Sequence, residues 1–242
     1  MKTRTKIWLI VAASLVLIGG ILFAGVMTVL KWDFMKLSTV SYEINTYEIP
    51  ETFDCISVKT DTADIEFAYS KDGKCTVVCH EDVNAKHDVT VEDGVLHIAL
   101  VDERSVLDYV GLNFTKTEIT VYLPKTEYGS LSIEESAGDI RLQQEFTFED
   151  IDILSSTGDV YCSASALGLL RIQTNTGDVT FDGCDAAEIF VETDTGDVTG
   201  RLLTEKIFYA QTDTGKVDVP DSITGGRCEI STNTGDIAVL VR

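Results

Sequence analysis

The hexapeptide Thr193-Asp194-Thr195-Gly196-Asp197-Val198 constrains the fold of this 242-residue chain more than any other stretch, because close copies of it recur through the C-terminal half. The copies centre on Gly138, Gly158, Gly177, Gly215 and Gly235, so successive glycines lie 19 or 20 residues apart. When the repeats are laid over one another on the glycine, the positions seven before it are Leu131, Ile151, Leu170, Ile189, Phe208 and Cys228. Those five before are Ile133, Ile153, Ile172, Val191, Ala210 and Ile230, and those two after are Ile140, Val160, Val179, Val198, Val217 and Ile237. Alternation with period two on both sides of the glycine means two strands per repeat with one face turned inward. A unit this short cannot bury that face alone, so it must stack on its neighbours, with equivalent strands pairing in parallel about 4.8 Å apart. The predicted fold is all-β, a single-chain parallel β-solenoid, or β-helix, of 19–20-residue coils over 131–242.

The remainder of the chain is less regular. Residues 51–130 read as an irregular N-terminal β part, with a degenerate first coil in which Ala63 takes the glycine slot. Residues 70–125 read as an antiparallel excursion, because Asp93-Gly94 between two alternating runs suits a two-residue hairpin turn. The loop over 102–113 carries Val106, Leu107, Val110 and Leu112, expected to pack on the core. Residues 31–50 form a membrane-proximal collar and a first strand containing Tyr42, Ile44 and Thr46. Before them, 1–6 is a basic stub with Lys2, Arg4 and Lys6, and 7–30 is an uncharged run of 24 residues. At about 1.5 Å per residue that run exceeds the roughly 30 Å of a bilayer core, so it reads as a transmembrane helix. Trp8 and Trp32 fit the interfaces, and the basic flank orients the N-terminus to the cytoplasm and the domain outside the plasma membrane. A cleaved signal peptide is the alternative, although its apolar region would be shorter.

All 40 acidic side chains lie beyond that run, against 16 of the 19 basic ones, which excludes nucleic acid as a partner. The carboxylates of Asp159, Asp178, Asp197 and Asp236, with Asp139, would form one column, and two readings of it compete. As a cation ladder it would take Ca²⁺. As a structural corner, Gly138, Gly158, Gly177, Gly196, Gly215 and Gly235 turn the chain while the aspartates bond to turn amides. The second is favoured, because only one turn per coil is regular and Lys216 interrupts the column. No cofactor is therefore expected. Cys75 and Cys79 are too far apart along one strand to pair, and Cys162 and Cys228 fall several coils apart; a bridge involving Cys55, Cys75, Cys79 or Cys184 stays open. His80, His87 and His97 all fall in the excursion, where strand histidines are more often surface or satisfied residues than metal ligands. No nucleophile elbow, phosphate loop or zinc-hydrolase motif occurs. The last coil, from Cys228 to Val239, would leave an edge that is either open to a protein partner or a second copy, or blunted by Arg242, the terminal carboxylate and short strands.

The Thr-x-Thr-Gly-Asp-Val/Ile repeats, the run Val121-Tyr122-Leu123-Pro124 before them and the N-terminal anchor resemble the bacterial DUF4097 family of β-strand-repeat proteins and adhesins. The resemblance covers roughly residues 50–242 and departs from the pattern at Ala63 and Lys216. It implies a β-helical cell-envelope protein and carries no catalytic residues. The expectation is a non-enzymatic, membrane-anchored domain for adhesion, scaffolding or binding of envelope components such as glycans. The alternatives are an accessory in envelope-stress signalling that works through a membrane partner, and a carbohydrate-active β-helix enzyme needing an aromatic platform from Phe181, Phe208 or Tyr209.

Overall fold

A computed structural model describes residues 3–33, 40–104 and 116–242. The apolar N-terminal run forms one helix, Thr3–Val29, closed by Lys31 and Trp32 in left-handed conformation with the Trp32 amide donating to the Met27 carbonyl at 2.7 Å. By length and composition Thr5–Val29 is sufficient to cross a membrane. The helix and the β domain are separate compact units. Parts of the expected collar and of the 102–113 loop, including Val106, Leu107, Val110 and Leu112, lie outside the described residues.

The β domain is a stack of coils. Each regular coil contributes a strand to a first parallel ladder, turns at the glycine corner, and contributes a second strand to a second parallel ladder. Along the first ladder the strands run Val95–Asp102, Cys55–Lys59, Leu131–Glu134, Ile151–Thr157, Leu169–Thr176, Glu188–Thr195, Gly226–Thr234 and Lys206–Thr214. Along the second they run Glu118–Leu123, Asp64–Tyr69, Ile140–Leu142, Val160–Cys162, Val179–Cys184, Val198–Leu202, Ile237–Val241 and Val217–Asp218. Short strands at Glu127–Tyr128, Thr147–Phe148 and Ser165–Ala166 pair separately on a third side. Register keeps the apolar columns aligned: Ile153 faces Ile172, Ile172 faces Val191, and Val191 faces Ile230. These columns, with Phe146, Phe148 and Phe181 filling the wider parts, form one continuous core.

The order of the coils in space departs from their order in the chain at both ends. Antiparallel pairing joins Tyr42–Ile49 to Cys75–Asp82, Cys75–Asp82 to Ala85–Glu92 and Glu118–Leu123, and Ala85–Glu92 to Val95–Asp102. Val95–Asp102 and Glu118–Leu123, expected in the excursion, are on their other side rungs paired in parallel outside the first coil. The Asp93-Gly94 hairpin forms as the dipeptide requires, both residues having positive φ. At the other end the final coil does not close the stack as expected from chain order. Its strands slot between those of the 188–202 and 206–218 coils, so the open edge belongs to 206–218. The cause lies in the columns. Cys228, Ile230, Ile237 and Val239 are fully apolar and fully buried, suited to an interior slot, whereas the 206–218 coil supplies Ala210 and a half-exposed Val217.

Candidate functional site

At the corner, the structure brings the predicted aspartates into one row and gives each a defined task. The Asp139 amide donates to Asp64 Oδ1 at 3.0 Å, and Asp159 to Asp139 Oδ1 at 3.1 Å. Asp178 donates to Asp159, and Asp197 to Asp178, both at 2.8 Å. Asp236 donates to Asp197 at 2.7 Å, and Lys216 to Asp236 at 2.8 Å. Every carboxylate therefore accepts the backbone N–H of the next rung, pairing an amide that the corner takes out of the sheet ladder. Lys216 is the last rung, with no further amide to accept, so it ends the spine rather than interrupting it. At the first rungs the other oxygen is also engaged: Lys116 reaches Asp64 Oδ2 at 3.2 Å and Arg141 reaches Asp139 Oδ2 at 3.1 Å.

Neighbouring carboxylates one strand apart repel by roughly 0.9 kcal/mol even in water. Asp178→Asn keeps an acceptor for the Asp197 amide and removes that repulsion, whereas Asp178→Ala removes both. Chemical denaturation should find the asparagine variant as stable as the parent or more so, and the alanine variant about 1 kcal/mol less stable than the asparagine one.

Three residues before the corner position runs a second polar row, this one internal: Thr60, Glu135, Ser155, Thr174, Thr193 and Thr232 are buried, and Thr212 of the edge coil is partly so. Thr193 and Thr232 donate to the carbonyls of Gly177 and Gly196 on the adjacent rung, at 3.5 and 3.1 Å. Glu135 stands where the other coils have a hydroxyl, is only 4% exposed, and accepts from Ser155 Oγ at 3.2 Å. Its Oε2 has no partner among the described residues. Burial pushes this carboxyl up to about 8; the Ser155 hydrogen bond opposes the rise, and the charges of Asp64 and Asp139 add to it. Because the folded form holds the proton more tightly than the unfolded chain, the associated stability is full below the ordinary value of 4.5 and is lost as pH rises towards 8. Glu135→Gln should therefore lose less stability than the parent between pH 5 and 8. The gap between their melting curves should widen by at most about 1.4 kcal/mol per pH unit.

A further buried net joins the excursion to the first coil. His87 Nδ1 meets Glu81 Oε2 at 2.7 Å, the His87 backbone amide donates to the same oxygen at 2.7 Å, and His87 Nε2 meets Thr60 Oγ1 at 2.8 Å. Asn45 Nδ2 donates to Glu81 Oε1 at 2.8 Å, and the Tyr47 hydroxyl donates to the His87 carbonyl at 3.0 Å. Cys79 lies beside them, and Cys79, Glu81 and His87 form the one mixed group among the described residues whose potential ligand atoms all lie within 4.8 Å of one another. Both ring nitrogens and both carboxylate oxygens are already engaged, so a metal could enter only by breaking these bonds. The Cys79 thiol, pushed up to about 12 by burial and then by the Glu81 charge, is a poor ligand at neutral pH. The histidines are not gathered into a site: His80 packs on the Tyr42 ring, while His97 faces Thr90 and Ser57 in register. All six cysteines are unbridged. Phe181 is buried, Phe208 is partly so, and exposed Tyr209 lies under the Arg227 guanidinium at 5.3 Å, so the three make no common platform.

The stacked coils, glycine corners and aspartate spine define a β-solenoid of the Toastrack type. The Toastrack DUF4097 family model matches residues 53–242, and the chain belongs to that family. Two solved structures share the fold. One, described as a putative cell adhesion protein from Clostridium sporogenes, is 15% identical with a TM-score of 0.51, over 84% of this chain and 100% of the other. The other, described as a putative adhesin from Bacteroides fragilis, is 19% identical with a TM-score of 0.52, over 84% of this chain and 97% of the other. No curated protein matches significantly.

Proposed function

We propose that the chain is a non-enzymatic, membrane-anchored extracytoplasmic solenoid that presents rigid outward columns for adhesion, scaffolding or binding of envelope components. The observation that carries this reading is the engagement of Glu81, His87 and one oxygen of Glu135 in hydrogen bonds within the stack, which leaves the outer rows as the chemistry offered to partners. Those rows repeat at strand spacing and include the exposed carboxylates of Asp178, Asp197 and Asp236. The adhesive descriptions of the structural neighbours agree with it. Intact cells producing the full chain should lose an epitope at the C-terminus on protease treatment, and their deletion strain should attach less to a surface or a neighbouring cell. An epitope shielded until the cells are broken, together with unchanged attachment, would overturn the proposal.

A further inference from the structure

Beside the end of the strand Tyr42–Ile49, at the face of the stack opposite the open 206–218 edge, lies a pocket of about 450 Å³. That size is within the range of small-molecule sites. Ile49, Phe53, Pro124 and Tyr128 supply its apolar wall. The wall is held in place from behind: the Phe53 and Tyr128 rings stack at 5.8 Å, and Tyr128 stacks in turn on Phe148 at 6.0 Å within the core. The Tyr128 hydroxyl accepts the Lys125 amide at 3.3 Å, so the segment carrying the ring is tied as well. The site is thus formed in advance, which lowers the ordering cost of binding.

Its charges stand at the rim. Lys74 is matched by Glu48 at 3.3 Å, whereas Lys125 has no carboxylate partner among the described residues and holds its ammonium 6.0 Å from the Tyr128 ring centroid. An unmatched cation at the mouth of an apolar slot complements a ligand with one apolar body and one anionic end. Glu51, on the same rim, opposes such a ligand and so provides a control of opposite sign. We propose that this pocket binds an acyl chain of an anionic amphiphile, its charge a fatty-acid carboxylate or a lipid phosphate, the chain against Ile49, Phe53, Pro124 and Tyr128 and the anion at Lys125. The inference is independent of an adhesive role, since it concerns the opposite end of the stack from the open edge.

The test uses the full chain in nanodiscs with two photoreactive probes: a diazirine-bearing dodecanoate added from solution, and a diazirine-bearing phosphatidylglycerol built into the disc. After illumination, labelled peptides are mapped by mass. Saturable labelling of peptides spanning 49–53 and 124–128 is expected, with Lys125→Glu reducing it at least tenfold and Glu51→Gln increasing it, both variants melting as the parent does. Labelling by dodecanoate assigns a free fatty acid as the source, and labelling by the lipid probe alone assigns a bilayer lipid. Labelling confined to the N-terminal helix, or pocket labelling indifferent to both substitutions, would overturn the proposal. Should Lys125→Glu fail to fold, the increase with Glu51→Gln decides the matter alone.

Discussion

Gly196→Val should abolish the folded domain or destabilise it by more than about 4 kcal/mol, among the largest losses expected from one substitution. Gly196 has φ +156°, and a β-carbon built on it would lie 1.9 Å from the Gly177 carbonyl oxygen and 2.6 Å from its carbon. Both are backbone atoms held by the neighbouring rung, so no side chain can swing away. The corners stack this closely because each glycine's missing side chain is the space occupied by the carbonyl of the coil before it. Gly73 provides the contrast, having φ +77° but open space where its β-carbon would stand. Gly73→Ala should cost only about 1 kcal/mol, from backbone conformation alone. Urea denaturation of the parent and the two variants separates these outcomes. A Gly196→Val protein within 1 kcal/mol of the parent would mean that the coils do not stack as described.

Glu81→Ala should cost roughly 3–5 kcal/mol, the range for removing one member of a buried charged or hydrogen-bonded set. The substitution leaves the His87 ring and backbone N–H groups without their acceptor, and Asn45 with Glu43 alone as carboxylate partner, in a site where Glu81 is fully buried and His87 is 2% exposed. For a domain of this size that corresponds to a melting temperature lower by about 10 °C. Thr60→Val removes only the outermost hydrogen bond of the net and should cost about 1 kcal/mol. The asymmetry identifies Glu81 as the hub. Equal losses for the two variants, measured by thermal unfolding, would contradict that assignment.

The coil, its period and its inward columns were legible in the sequence because each depends on local alternation around a glycine. The order of the coils was not. Columns of Val, Ile and Leu are interchangeable between rungs, so nothing local states that Cys228 lies beside Ile189 or that Leu96 lies outside Ile56. Two departures from the repeat did carry that information. Lys216 cannot accept an amide from a following rung, and it stands where the spine ends; Ala63 stands in the glycine slot at the first rung of the described spine. The His87 net escaped sequence reading because it joins Thr60, Glu81 and Asn45, residues of separate strands brought together by the pairing of Tyr42–Ile49 with Cys75–Asp82 and by packing of the excursion on the first coil. Glu135 lay in a column of serines and threonines, and its burial was concealed by its charge. The pocket wall depends on Phe53 meeting Tyr128, a contact made through the short third side of the stack.

The C-terminal half of the chain carries a motif whose aspartates invite a metal-binding reading, and the geometry gives them another role, as acceptors for the next coil's backbone. Calorimetric titration of the full chain in nanodiscs of uncharged lipid with Ca²⁺, paired with thermal unfolding in the presence of EDTA, tests this role most directly. The hydrogen-bonded spine predicts no saturable heat and a melting temperature that EDTA leaves unchanged. A stoichiometric heat at Ca²⁺ concentrations below the millimolar range, lost in Asp178→Asn and accompanied by a lower melting temperature in EDTA, would contradict it.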